Sequence, residues 1–378
     1  MAEYNWNSSN PYSLVEDGRS INETNSWTTF INSTYSNTSE ELRCPFPEGW
    51  DWISAYQPIF MWVLFVLGFI ENIIVLTVFL LHKNRCTVAE IYLGNMAAAD
   101  LLLICGLPFW AINVSNNFHW PFGSFLCIAI NTIILVNLNS SVYFLMMVSI
   151  DRYLALVKTM SFGRMRRAGY AKLICMVIWI FAVLVSLPKS SFRVLTPIEQ
   201  LNVTACILQP PSDDWFIATN IMINTIGFLL PVVVISFCTF KIIEVLSNNT
   251  MQQFKEVKTE KKATMLVLAV LLVFIICWLP YHIVTFVDTL VLFKVVKGCG
   301  ISDFLQIGSQ ISSYCGYSNS CINPLLYVMV GNHFRKKTKE VYKQFKTRGQ
   351  KKNSIYQIDY SGDTVRTSIS MGPQKIRI

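Results

Sequence analysis

The stretch CIAINTIILVNLNSSVYFLMMVSIDRY, residues 127–153, decides the fold. It carries no charge from Ile128 to Ile150 and then closes on Asp151-Arg152-Tyr153. At about 1.5 Å of rise per residue, a helix of this length crosses the roughly 30 Å hydrocarbon core of a bilayer. A cysteine at one end and an acid–arginine pair at the other give the helix two chemically different mouths. A buried helix of a large soluble protein would look the same in isolation. Six more stretches of this kind on either side argue against that.

Working outward, the apolar runs of membrane length fall at roughly 58–81, 88–112, 125–150, 172–188, 217–240, 263–288 and 304–331. The fourth is short. The seventh is rich in Ser, Gly and Asn, as a helix enclosed by others should be. Composition agrees: of 378 residues 53% are hydrophobic and 14% charged, with a mean hydropathy of +0.42, whereas soluble domains carry about 25% charged residues. The expected fold is an all-α membrane protein, a seven-transmembrane helix bundle over 58–332. A glycosylated extracellular tail, 1–57, precedes it. A short amphipathic membrane-surface helix, 333–346, and a disordered cytoplasmic tail, 347–378, follow.

Orientation comes from the basic residues. Six of the 31 lysines and arginines fall on the side of the first segment and the odd-side connections; the rest lie on the other side. The N-terminus is therefore expected outside and the C-terminus in the cytoplasm of a multi-pass plasma-membrane protein. Met1 to Trp6 lacks the apolar core of a cleavable signal, so the first span is expected to act as the anchor. Thirteen of the 23 acids sit outside, which with six bases gives the exterior a net charge of −7 and leaves +15 for everything else. The overall +8 is thus a cytoplasmic property and does not point to nucleic acid. The acidic exterior would concentrate a cationic ligand.

Sequons at Asn7, Asn22, Asn32 and Asn37 mark the first segment as glycosylated, and Asn202 adds a site between spans four and five. Asn113 and Asn248 also match, but one abuts a helix end and the other lies inside. Cys44, Cys127, Cys206 and Cys299 fall outside, where disulfides form, and four cysteines allow three pairings. Cys86, in the first inner loop, reads as a plain buried thiol. Within the spans, Asp100 stands out, since a charge at a helix centre costs about 2.5–3.5 kcal/mol on insertion scales. Asn72, Asn137, Ser141, Asn319 and Asn323 supply polar groups that could surround it.

Asn72, Asp100, Asp151-Arg152-Tyr153, Trp179, Pro231, Cys277-Trp278-Leu279-Pro280 and Asn323-Pro324-Leu325-Leu326-Tyr327 place a landmark on each span. Together they resemble the signature set of class A G-protein-coupled receptors. Glu90 to Asn95, Gly106 to Ile112, Ser149 to Met160 and Tyr317 to Cys321 are more specific and resemble the kinin (bradykinin) receptors of type two. That likeness runs from about 58 to 345 and includes Arg366 to Ser370.

The resemblance implies a kinin-type peptide ligand with arginine at both ends, the heterotrimeric G protein Gq and phospholipase C, and Gi as a second partner. It implies that Cys127 pairs with Cys206 and, with it, that Cys44 pairs with Cys299. Family positions that line the peptide pocket fall on Trp110, Asn137, Thr285, Phe286 and Asp288, and Asp288 is expected to meet the ligand's N-terminal arginine. Leu135 stands where type-one receptors carry lysine. Gln306 and Phe216 replace acids of the relative, and Asp303, with Asp213 and Asp214, lies near enough to compensate.

No resident cofactor is expected. A sodium ion held by Asp100, Ser141, Asn319 and Asn323 is what the resemblance implies instead. The activation switch it implies comprises Asp151, Arg152, Tyr153 and Glu260 at the inner end, Phe274, Trp278 and Pro280 in helix six, and Asn323, Pro324 and Tyr327 in helix seven. Glu260 has a plainer reading as a solvated charge among lysines. Thr239 departs from the class, which usually has tyrosine there and gives Tyr327 a partner.

After the seventh span, Phe334, Val341 and Phe345 recur at helical spacing in a basic segment that suits an anionic inner leaflet. No cysteine follows Cys321 to be palmitoylated. Ser361, Thr364, Thr367, Ser368 and Ser370 suit receptor kinases and arrestin.

Other classes fit less well. A transporter would keep Asp100, but paired repeats are absent from the sequence. An enzyme needs a nucleophile or metal cluster, and the four histidines share no ligand spacing. A retinal protein needs a lysine in span seven, and Ile301 to Gly331 holds none. The remaining alternative is a receptor for another small peptide, of the angiotensin or chemokine kind.

Overall fold

The structure, a computed structural model, describes residues 50–82, 86–157, 167–199, 202–247, 255–329 and 334–347. The chain runs α1 (Trp50–Leu81), α2 (Val88–Ser115), α3 (Gly123–Leu156), α4 (Ala168–Ser190), β1 (Arg193–Ile198) and β2 (Val203–Leu208). The fifth helix, α5, is Asp213–Asn224, a π-helical turn Thr225–Leu229, and Leu230–Ser247. Then come α6 (Lys255–Leu292), α7 (Cys299–Met329) and α8, residues 334–347. The expected bundle and its trailing helix are both present.

Most helices outrun their apolar stretches. α1 begins at Trp50, α3 continues through Asp-Arg-Tyr to Leu156, and α6 starts at Lys255. Hydrophobicity marks where lipid ends, while backbone hydrogen bonds carry a helix on into water. Six helices have an apolar window long enough to span a membrane among the described residues. α7 lacks one because its face is polar and turned inward: Gln310, Ser312, Asn319, Ser320 and Asn323 are all buried.

α3 is the axis of the bundle. In its most apolar window 78% of residues are buried, against 33% for α1 and α4 and 28% for α5. The outer helices turn Ile70, Met176, Ile180, Leu230 and Phe237 outward, the apolar face a lipid environment requires. Asn72 ties α1 to α7, donating to the carbonyls of Gly68 and Ser320 at 2.9 Å each. The Trp179 indole donates to Asn95 Oδ1 at 3.0 Å and ties α4 to α2.

The π turn in α5 has a local cause. Pro231 brings no N–H and blocks the regular ladder just below it. The Leu230 N–H bonds back to the Thr225 carbonyl, five residues away, which is the π pattern. The carbonyl of Ile226 within the turn is taken up by the Tyr143 hydroxyl of α3 at 2.9 Å.

On the outer side, β1 and β2 form an antiparallel hairpin with Arg193 opposite Leu208 and Leu195 opposite Cys206. The all-helical expectation did not include this ribbon. Its strands are six residues each and Pro197 interrupts the alternation that would have revealed them. The Cys127–Cys206 disulfide fastens the hairpin to the top of α3. Trp120 packs beneath it, fully buried, with its backbone N–H on the Thr204 carbonyl at 2.8 Å.

Asn202 sits exposed in the hairpin turn, at a φ of 49°. Asn113, by contrast, is buried, and its amide faces the carbonyls of Phe118 and His119. The sequons at Asn7, Asn22, Asn32 and Asn37, and the serines and threonines from Ser361 to Ser370, lie outside the described residues. Cys299 is disulfide-bonded, and its expected partner Cys44 also lies outside them.

Candidate functional site: an outer cavity over a buried polar centre

A cavity opens among α3, α4, α6 and α7 below the hairpin. Leu135 of α3 forms one wall, Thr285 and Tyr281 of α6 another, and Ser313 and Tyr317 of α7 a third. Lys189 at the end of α4 and Arg193 at the start of β1 close the fourth, and Trp278 is the floor. The wall that carries Arg193 is held in place by the hairpin disulfide.

The floor leads into the core. A methyl group at Gly316 of α7 would meet the Trp278 ring at 2.7 Å, so only glycine lets the indole lie against that backbone. Below it, Phe274 lies 6.4 Å from Trp278 and stacks on Phe228 of the π turn at 6.5 Å. Phe228 in turn stacks on His282 at 4.2 Å. His282 and Thr285 both reach Asn224 Oδ1, at 3.0 and 3.2 Å. Thr285, on the cavity wall, is thus joined to the aromatic stack through α5.

Beneath lies the polar centre. Asp100 is fully buried and collects four donors. Asn137 and Ser320 donate to Oδ1 at 2.9 and 2.8 Å, Ser141 reaches the same oxygen at 3.5 Å, and Asn323 donates to Oδ2 at 3.0 Å. Asn323 also bonds Asn319 Oδ1 at 3.2 Å. The Asn323 Oδ1 atom is buried with no hydrogen-bond partner in the structure. A carboxylate, two hydroxyls and an orphaned amide oxygen form a donor set that fits a small hard cation such as sodium.

At the inner end the Arg152 guanidinium bonds Asp151 Oδ2 at 2.6 Å. Glu260 lies in α6, but its side chain falls outside the described residues. The Tyr327 hydroxyl is buried and finds no hydrogen-bond partner among the described residues. α8 is pinned by an ion pair from Lys337 to Glu90 of α2 and by a hydrogen bond between Glu340 and His82 after α1, each at 2.8 Å. Phe334 packs between Phe79 and Tyr327 at 5.6 and 6.2 Å.

Residues 71–327 match the sequence family described as the seven-transmembrane receptor, rhodopsin family. This chain belongs to that family. It is 54% identical over 346 residues to the B2 bradykinin receptor of Rattus norvegicus, which covers 91% of this chain and 87% of that one. It is 53% identical over 348 residues to the B2 bradykinin receptor of Homo sapiens, with 92% and 89% covered. The human B1 bradykinin receptor is 39% identical over 302 residues, with 79% and 85% covered. Rhodopsin-family receptors are multi-pass plasma-membrane proteins and not enzymes.

In this receptor the residues expected to line the ligand pocket part company. Thr285 lines the cavity; Asn137 belongs to the Asp100 cluster below it. Trp110 is buried against Trp120 at 5.3 Å, beneath the first outer loop. Phe286 is 56% exposed on the outer surface of α6, one residue beyond the face that Thr285 presents. Asp288 is at the rim and accepts from Asn220 of α5 at 3.3 Å, and Asp303, the fifth residue of α7, is not among the cavity's lining residues.

The sequence reading missed Ser320, which the Asp100 cluster includes, and Lys189, Arg193 and Asn220 at the rim. A signal existed for Lys189 and Arg193, since they are two of the few bases on the outer side. For Ser320 the signal was its place in the polar run from Tyr317 to Asn323. The contacts that pin α8 left no sequence trace, because their partners are more than two hundred residues apart.

Proposed function

We propose that the protein is a cell-surface receptor for a cationic kinin-type peptide, with its N-terminus outside and its C-terminus in the cytoplasm. The observation that carries this is the cavity over Trp278, in a chain whose likeness to B2 bradykinin receptors spans some nine-tenths of its length. The peptide enters from an acidic exterior, and Asp288 at the rim, with Asp303 in α7 as the next carboxylate, meets its guanidinium groups. Leu135 on the wall leaves room that a lysine there would fill with charge, which supports a peptide that keeps its C-terminal arginine.

Pressure on Trp278 and Tyr281 moves the Phe274–Phe228 stack, and the break at Pro280 lets the inner half of α6 swing. That movement releases Arg152 and opens the inner ends of α3, α5 and α6 to Gq, with Gi as the second partner. The orphaned Tyr327 hydroxyl is a donor that the open arrangement satisfies. Sodium at Asp100 favours the closed arrangement, and the C-terminal tail, with Ser361, Thr364, Thr367, Ser368 and Ser370, serves receptor kinases and arrestin.

Transfected cells that contain Gq test the reading. Bradykinin and a panel of its variants should raise inositol phosphate and calcium. Silence across the whole panel would overturn it.

A further inference from the structure

Besides its disulfide, the outer hairpin is fastened at a second point, and that point is ionisable. Both backbone groups of Thr204 in β2 turn to the first outer loop. The carbonyl accepts from the Trp120 N–H at 2.8 Å, and the N–H donates to His119 Nδ1 at 3.0 Å. Across the hairpin Thr204 stands opposite Pro197, which has no N–H to offer. The loop thus meets β2 as a neighbouring strand would, except that one acceptor comes from an imidazole ring instead of a backbone carbonyl. A backbone N–H can only donate, so Nδ1 is the unprotonated nitrogen and the ring is neutral.

The loop is built to present that nitrogen. Asn117 and Phe118 both stand at positive φ, 52° and 61°, a conformation that few residues other than glycine adopt. The buried Asn113, with its amide nitrogen toward them, donates to the Phe118 and His119 carbonyls at 3.0 and 3.2 Å. The Trp120 indole, buried beneath the hairpin, donates to the Gly123 carbonyl at 3.1 Å. From Gly106 to Leu126, across the outer ends of α2 and α3 and the loop between them, His119 is the only ionisable side chain. The hairpin carries Arg193 at its far end and Glu199 before its turn. The outer turns of α1 carry Tyr56 and Asp51, whose side chain lies outside the described residues.

We propose that His119 is a positioning residue: its neutral imidazole seats the hairpin over the outer cavity, and protonation unseats it. A proton on Nδ1 turns the acceptor into a donor that faces another donor, so the contact to the Thr204 N–H is lost. β1 begins on the cavity wall with Arg193, so a hairpin that shifts at Thr204 changes the wall against which a peptide packs. A peptide that binds the seated hairpin better loses affinity as protons unseat it. Because the neutral ring belongs to the seated state, the seat is complete at neutral pH and is lost as pH falls into the range where an imidazole gains its charge. In the proposed orientation the hairpin and the ligand share a compartment, so a peptide captured at neutral pH is released on acidification. The coupling to ligand rests on the cavity being the peptide site.

The test compares the full-length wild type with His119→Asn, whose side-chain oxygen accepts at every pH, and His119→Leu, which accepts at none. Hydrogen exchange in β2 of the purified receptor, corrected for the intrinsic pH dependence of exchange, should show protection at about pH 7.4 that is lost at about pH 5.5 in the wild type. Over the same interval equilibrium binding of bradykinin should weaken about twofold to tenfold, the range of one neutral hydrogen bond. His119→Asn should keep its protection and affinity at both pH values, and His119→Leu should show the wild type's acid values at both. Using one peptide on all three proteins cancels the peptide's own titration. An Asn variant that loses protection or affinity in acid as the wild type does overturns the inference, as does a Leu variant that matches the wild type at neutral pH. Should the Leu variant fail to fold, the Asn variant decides alone. If the wild type binds no kinin, the receptor reading fails, and exchange in β2 still decides whether His119 seats the hairpin.

Discussion

Asp100 shows what one residue contributes at the centre of the bundle. Four donors surround its carboxylate, and the proposed sodium site needs that carboxylate charged. Asp100→Asn keeps the shape and most of the hydrogen bonds but removes the charge. Agonist affinity in the mutant should therefore no longer depend on sodium, and equilibrium binding in sodium against a large organic cation checks it. An unchanged dependence would reject the site. Asp100 was legible in the sequence because a charge in an apolar run needs a reason. Ser320 lay in a legible polar run, but serines are common in α7 and only the structure shows which one turns toward the acid. Phe286 fails in the opposite sense. The family resemblance placed it in the pocket beside Thr285, but a step of one residue rotates about a hundred degrees around a helix and carries it to the outer surface.

At the scale of elements, α8 is the clearest case. Its amphipathic spacing was readable, and a lipid-facing role was the natural expectation. The structure adds that it is clamped to the bundle through Lys337–Glu90 and Glu340–His82, with Phe334 beneath. The Lys337 and Glu90 side chains are 6% and 10% exposed, so each depends on the other. Removing one partner of a buried pair costs about 3–5 kcal/mol, whereas replacing both with neutral groups of like size is often neutral. Lys337→Met alone should thus lower the thermal stability of the purified receptor clearly, and Glu90→Gln with Lys337→Met should recover most of it. A double variant no better than the single would show that the pair does not hold α8. Glu90 also closes a capping box with Thr87, so Glu90→Gln keeps the side-chain acceptor that caps α2. Neighbouring Cys86 lies half-buried with its thiol on the Phe79 carbonyl, and burial first, then the Glu90 carboxylate, pushes its pKa up. That favours the plain buried thiol over a lipid attachment site in a chain whose tail carries no cysteine.

Across the whole molecule the proposed orientation divides the charge between two faces. With the N-terminus outside, as proposed, the exterior carries −7 and the remainder +15, in a chain whose total is +8. Long-range attraction of this kind acts on the approach of a ligand rather than on its final contacts, because exposed charges are screened over about 8 Å at physiological salt. A dicationic peptide should therefore associate faster at low ionic strength, while its dissociation rate changes little. Stopped-flow binding of a fluorescent kinin to receptor in detergent or nanodiscs, from low to high salt, separates the two rates. Most of the acids concerned lie in residues 1–57, so removing that segment should flatten the salt dependence of association without moving the dissociation rate. Asp288→Asn should do the reverse, since its carboxylate is built into the rim through Asn220. A dissociation rate that followed salt as strongly as association would mean that exposed ion pairs, not the cavity over Trp278, hold the peptide.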